Sequence, residues 1–302
     1  FSSNNPENFL FPFMEGVIAN LKTLGKIRTS ETYAATLCSF RRFREDKDVT
    51  LDDMDSDMMM AYEAYLKNNG VSPNSSSFYM RNLRAVYNRA VEKELTPQRF
   101  PFKHVYTGVD KTVKRAVPLK VIKRIKEMDF SMNPSFDFAR DMFLMSFYTR
   151  GMSFVDMAYL RKKDLQNGVL SYRRRKTGQQ LFIKWEKCMQ EIVDKYDTSQ
   201  SNYLLPIIKP FGDIDERTQY IYAAHNINRC LKIIGKELGL SVSLTLYVAR
   251  HAWASIAKSK NVPLSVISEG MGHDSEATTR IYLASLDTVA IDKANSMILK
   301  SL

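Results

Sequence analysis

Apolar positions recur at helical spacing over most of the chain and alternate at strand spacing in one place only. Leu10, Phe13, Met14, Val17, Ile18 and Leu21 predict a helix within 8–25 that stops at Gly25. Thr29 and Ser30 then predict the cap of a second helix, with Tyr33, Leu37, Phe40 and Phe43 on one face. The acidic segment Glu45–Asp57 predicts a connection and the start of a third helix, where carboxylates complement the helix dipole. That helix runs through Met58–Leu66 to Asn69-Gly70, a C-cap pair. Ser72-Pro73-Asn74 opens a fourth over Ser75–Glu94, with Tyr79, Leu83, Val86, Tyr87 and Ala90 inward. Four helices with short connections predict a compact α-bundle.

From Thr96 to Pro118 the pattern lapses. Pro97, Pro101, Gly108 and Pro118 punctuate it, with Lys103, Lys111, Lys114 and Arg115 between them. We expect an extended basic linker over 97–118, separating a domain at 1–96 from a second at 119–302. The second half predicts helices at Leu119–Met128, Ser135–Tyr148 and Ser153–Leu160, with a turn at Thr149-Arg150-Gly151-Met152. Val169–Arg173 and Leu181–Trp185 alternate apolar and polar residues around Arg174–Gln180, which predicts a β-hairpin. Helices at Lys187–Tyr196 and Arg217–Leu238 follow, and the tail Thr288–Leu302 is amphipathic. The fold class is mainly α with a small β-hairpin or sheet, without internal repeats.

Charge adds a partner to this picture. The net charge is +11. Residues 1–110 carry 14 basic and 14 acidic residues, and residues 111–302 carry 30 and 19, so the whole excess lies in the second part. A polyanion, most simply DNA, fits that distribution. No run approaches the ~20 apolar residues of a membrane span. The beginning has neither the charged nor the apolar region of a signal peptide, and the missing initiator Met suggests either trimming or a missing segment upstream. Cys38, Cys188 and Cys230 are isolated and read as thiols in a reducing compartment, so we expect a cytoplasmic, nucleoid-associated protein. Four histidines and three cysteines show no ligand spacing and no Gly-rich phosphate loop is present, so neither a metal nor another cofactor is expected; His104 and His225 read as structural.

The candidate chemistry lies between Leu244 and Leu286. Arg250 and His251 sit near the start of an apolar-periodic helix that breaks near Asn261-Val262-Pro263. A short helix over Leu264–Glu269 ends at a Gly-Met-Gly turn, and His273 follows directly. Tyr282 comes nine residues later, expected on a third short helix opened by Asp274 and Ser275. An arginine, two histidines and a tyrosine delivered this way can converge on one phosphate, with the tyrosine oxygen as attacker. The stretch resembles the tyrosine recombinase (phage integrase) family, whose signature is an Arg-His pair, a Gly-His turn and a Tyr nine residues after that His.

The resemblance implies an α-helical core-binding domain, a linker and a catalytic domain that close as a clamp on duplex DNA. It implies a site-specific recombinase acting as a homotetramer on specific sites, through a 3′-phosphotyrosyl link and a Holliday junction, with tail exchange through 288–302 and room for accessory DNA-bending factors. Tyr282 is then the nucleophile and Arg250 the phosphate clamp. His273 donates to the phosphate, and His251 takes the tyrosine proton or donates to the phosphate. Lys176 matches the hairpin lysine that protonates the leaving 5′-oxygen.

Two positions depart from the pattern. Tyr247 stands where the family has a His, three residues before Arg250, and is expected to donate to the phosphate. With Asp156 aligned to the family's acid, Ser153 stands where the first catalytic Arg belongs, a variant that resembles the integrases of mobile elements from gut anaerobes. Arg150 is the expected replacement, and Asp156 is expected to orient an arginine. Arg41, Arg42, Arg81, Arg84, Lys114, Arg115, Arg173, Arg174 and Arg175 are expected DNA contacts. A type IB topoisomerase shares the catalytic set, and the loss of an Arg at Ser153 also fits an inactive DNA-binding protein; both stay open at this point.

Overall fold

The computed structural model describes residues 8–110, 115–209 and 212–283, together with Met297 and Leu299. The chain divides into two compact units, Phe1–Thr112 and Val113–Leu302. Lys114 and all but two residues of the tail 288–302 lie outside the described residues.

The first unit is built on α1 (Leu10–Thr23), α2 (Ile27–Phe43), α3 (Ser56–Asn68) and α4 (Pro73–Glu92). Their apolar stripes meet in one core around Leu10, Met14, Phe40, Tyr62, Met80, Leu83 and Tyr87, all removed from solvent. The acidic segment works locally. Asp55 caps α3 by accepting from the Met58 amide, and Asp48 accepts from the amides of Phe11 and Val49. Pro73 fills the first turn of α4, where no amide donor is needed, behind the Ser72 cap. Helix α2 begins earlier than the Thr29/Ser30 cap expected from sequence. Its first residue is Ile27, so Ser30 is buried inside the helix and spends its hydroxyl on the Ile27 carbonyl.

Residues 97–110 depart from the extended linker expected of them. Phe102 and Val105 enter the first core, the Tyr87 hydroxyl donates to the Pro97 carbonyl, and Asn74 exchanges two hydrogen bonds with the Asp110 backbone. The segment has no helical or strand period, so its burial was invisible to a periodicity argument. Val117, by contrast, belongs to the core of the second unit.

In the second unit α5 (Leu119–Glu127) and α6 (Pro134–Tyr148) precede the short α7 (Phe154–Ala158). Strands β1 (Leu165–Gln166), β2 (Val169–Arg173) and β3 (Gln180–Lys184) form an antiparallel sheet in that order, pairing Leu170 with Ile183 and Tyr172 with Leu181. These four side chains face the core while Phe182 faces out, which is the alternation read from sequence. The two-residue β1 was not expected. Helices α8 (Lys187–Asp194), α9 (Glu216–Glu237), α10 (Leu246–Ser259), α11 (Leu264–Gly270) and α12 (Glu276–Arg280) complete the unit. Helix α6 is packed between α9 and α10, and Ala139, Met142, Phe143 and Met145 are fully or almost fully buried in consequence. Among the described residues no helix is long and apolar enough to cross a membrane, and no cluster of His, Cys, Asp or Glu could hold a metal ion.

Candidate active site

The site forms where α10, the turn after α11 and the turn after α12 meet the loop at Gly151 and the β2–β3 hairpin. Helix α10 contributes Tyr247, Arg250 and His251; the last two are 4% and 6% exposed. Such depth for a guanidinium requires partners. Arg250 Nη1 donates to the Gly151 carbonyl at 2.6 Å, and Nη2 donates to the Met271 carbonyl at 2.7 Å. Gly151 has φ +74°, and a Cβ there would sit 2.7 Å from the Arg250 Cα, so only glycine allows this approach.

Nη2 of Arg250 also lies 2.8 Å from Nε2 of His273. Arginine only donates, so Nε2 accepts and the ring proton is on Nδ1, which donates to Thr279 Oγ1 at 2.8 Å. Burial first, then Arg250, Arg174 and Lys176, push the His273 pKa down to about 4. In this arrangement the neutral His273 orients Arg250. Donation to a phosphate, the role expected from sequence, would need Nε2 to be released and protonated.

Tyr282 lies in the turn just past α12, since that helix ends at Arg280 rather than continuing through the tyrosine. Its ring is stacked on His273 at 4.9 Å between centroids, and the Arg250 guanidinium lies 5.3 Å from its centroid. His251 Nδ1 donates to the Tyr282 carbonyl at 3.1 Å, and Ser255 donates to the same oxygen at 3.3 Å. Two side chains of α10 therefore hold the backbone that carries the phenol. The Tyr282 hydroxyl accepts from the Tyr247 hydroxyl at 2.7 Å.

Ser153 immediately precedes α7 and donates its hydroxyl to Asp156 Oδ2 at 2.6 Å, while Oδ1 of Asp156 accepts from the Arg175 amide at 2.9 Å. The guanidinium beside this carboxylate comes from Arg174, in the β2–β3 connection. Arg174 is 6% exposed, its Nε is 4.0 Å from Asp156 Oδ2, and Nη1 donates to the Gly272 carbonyl. Arg174 lowers the pKa of both Arg250 and His273, which marks it as a cation of the same pocket. Arg150, also at positive φ, is partly buried and lines a neighbouring recess with Gln179, Glu269 and Gly270.

The other expected residues spread over the surface. Lys176 is exposed on the hairpin loop, yet its charge reaches His273. Arg173 donates to the Gly178 carbonyl, and the Arg175 guanidinium lies 4.0 Å from the Tyr159 ring centroid. Arg115 is exposed and its charge is felt by Tyr247. In the first unit Arg41 pairs with Glu15 at 2.6 Å, Arg42 reaches Cys38, Arg81 donates to the Gly108 carbonyl, and Arg84 to Thr107. Sequence reasoning missed Ser255 and Thr279, and read Arg174 as one of three surface arginines. Nothing in the local pattern Arg173-Arg174-Arg175 separates the buried middle residue from its exposed neighbours, except that alternate hairpin residues face opposite sides.

No curated protein sequence matches the chain. Among solved structures, a lambda integrase tetramer bound to a Holliday junction superposes with TM-score 0.69 at 15% identity, covering 91% of this chain and 77% of that one. The Tn1549 transposon integrase in complex with transposon right end DNA gives TM-score 0.65 at 15% identity, covering 95% and 98%. At these identities the likeness is one of fold. The family models carry more: residues 9–105 match the phage integrase SAM-like domain and residues 119–288 match the phage integrase family, so the chain belongs to the phage integrase family of tyrosine recombinases.

Proposed function

We propose that the chain cleaves and rejoins duplex DNA at specific sites with Tyr282 as its nucleophile. The observation that carries this reading is the packing of the Tyr282 phenol against Arg250 and His273 while two side chains of α10 hold its backbone. The Tyr282 oxygen forms a bond to phosphorus and the bond from phosphorus to the 5′-oxygen breaks. His251 takes the phenol proton, and Lys176 gives one to the leaving oxygen. The 3′-phosphotyrosyl link conserves the bond energy, so a 5′-hydroxyl rejoins the strand by the reverse steps without a nucleotide cofactor.

A phosphorane carries more negative charge than the phosphodiester, and its stabilisation rests on preorganised cations. Arg250 is one. Arg174 supplies the second, entering from the hairpin and oriented by Asp156, in place of the arginine that Ser153 lacks. The basic residues Arg41, Arg42, Arg81, Arg84, Arg115, Arg173 and Arg175 serve as backbone contacts. Exchange between two duplexes is carried out by a tetramer, as in the lambda integrase assembly on a Holliday junction. The tail 288–302 docks on the neighbouring protomer.

Tyr282→Phe tests the reading. It removes one oxygen and no charge, so duplex affinity should persist while the covalent protein–DNA adduct on a nicked suicide duplex disappears. An adduct that survives the substitution would assign the nucleophile elsewhere.

A further inference from the structure

Tyr247 occupies α10 one turn ahead of Arg250, and its hydroxyl donates to the hydroxyl of Tyr282 at 2.7 Å. The two rings are 5.6 Å apart at 57°, and Tyr247 also stands edge-on to His251 at 4.8 Å. The titratable and charged groups that face this pair are Arg250, His251 and His273 around Tyr282, with Arg250 and Arg115 acting on Tyr247. Two phenols in contact share one donor and one acceptor role. With Tyr247 donating, the oxygen of Tyr282 is held in place as the acceptor.

We propose that Tyr247 is a catalytic residue that stabilises the Tyr282 phenolate as it forms and fixes the direction from which its oxygen attacks. This rests on Tyr282 being the nucleophile. As Tyr282 gives up its proton to His251 and bonds to phosphorus, its oxygen becomes a stronger acceptor, and a donated hydrogen bond strengthens with it. Tyr247 keeps its own proton throughout. Tyr247 is 48% exposed, and partial burial of its ring, then its contact with Tyr282, holds its phenol above the ordinary tyrosine value against the pull of Arg250 and Arg115. A histidine here would titrate near neutrality; the phenol remains a donor across the working range.

Tyr247→Phe keeps the ring and removes the donor. Single-turnover cleavage of a suicide duplex should slow about tenfold to a hundredfold, as for loss of a hydrogen bond to a charged group. Duplex affinity should hold. Placing a fluorinated tyrosine at position 282 makes the phenol more acidic, so the penalty of Tyr247→Phe should shrink in that background; a purely structural contact would leave it unchanged. A Tyr247→Phe rate within about twofold of the unaltered chain, or a penalty indifferent to fluorination, overturns the proposal. Mapping the phosphotyrosyl peptide separates the two readings. An adduct at Tyr282 leaves the rates to decide on Tyr247, whereas an adduct at Tyr247 or any other tyrosine removes the nucleophile assignment and this role together.

Discussion

Nε of Arg174 lies 4.0 Å from Oδ2 of Asp156, both side chains almost fully buried. The same carboxylate oxygen accepts from Ser153, the residue at which the signature places an arginine. A guanidinium therefore reaches this carboxylate from the hairpin and not from the start of α7. Arg174 Nε makes no hydrogen bond within the described residues.

From this relationship we expect Arg174→Ala to slow single-turnover cleavage by about 10²–10³, the usual loss for one preorganised donor. Ser153→Arg added to that variant should restore part of the rate by returning a guanidinium to the same carboxylate. Arg150→Ala, assayed in parallel, measures the alternative source of the charge. A loss of that size at Arg150 with Arg174→Ala near the original rate would reverse the assignment.

The pH response of stability should carry the signature of His273. Its folded pKa, about 4, lies below the ordinary histidine value of about 6.5. As pH falls below 6.5 the unfolded chain takes up a proton that the folded site refuses. The contribution is therefore complete above about 6.5 and is lost as pH drops toward 4, to a total of about 3 kcal/mol. Urea midpoints measured from pH 7 to 4.5 should fall less steeply for His273→Gln than for the unaltered chain. Parallel curves would show that His273 takes up its proton equally well in both states.

Two glycines at similar dihedral angles separate strain from crowding. Gly151 and Gly168 have φ of +74° and +72°, but a Cβ meets the Arg250 backbone at the first and open space at the second. Gly168→Ala should cost about 1–2 kcal/mol through backbone strain alone. Gly151→Ala should cost clearly more and also displace Arg250, so both the denaturation midpoint and the cleavage rate should fall.

Asp141 tests the remote side of the same unit. It is 2% exposed, and Arg140, Lys195 and Tyr196 all donate to it. Asp141→Ala removes one buried acceptor while Asp137 still pairs with Arg140 and Lys195, so the loss should be about 1–3 kcal/mol in denaturant unfolding. A loss below about 1 kcal/mol would mean that the network is loosely solvated.

The spacing of Arg250, His251, His273 and Tyr282, the helical periods and the single alternating hairpin were all legible in the sequence. Each is carried by spacing along one continuous stretch of chain. Helix limits were less legible, because Ser30 and Tyr282 sit where local capping chemistry competes with packing: the first was drawn inside α2 and the second left outside α12. Phe102 and Val105 entered the first core without any periodicity to announce them. Which guanidinium stands beside Asp156 was a decision only tertiary structure could make. In sequence Arg150 is three residues from Ser153 and Arg174 is twenty-one. The hairpin register turns Arg174 inward, and the glycine at position 272 opens the space its side chain needs, since a Cβ there would lie 2.6 Å from the Arg174 Cδ. Proximity along the chain favours Arg150, but a buried cation settles where a carboxylate and a carbonyl compensate its desolvation, and those partners are brought together only by the folded unit.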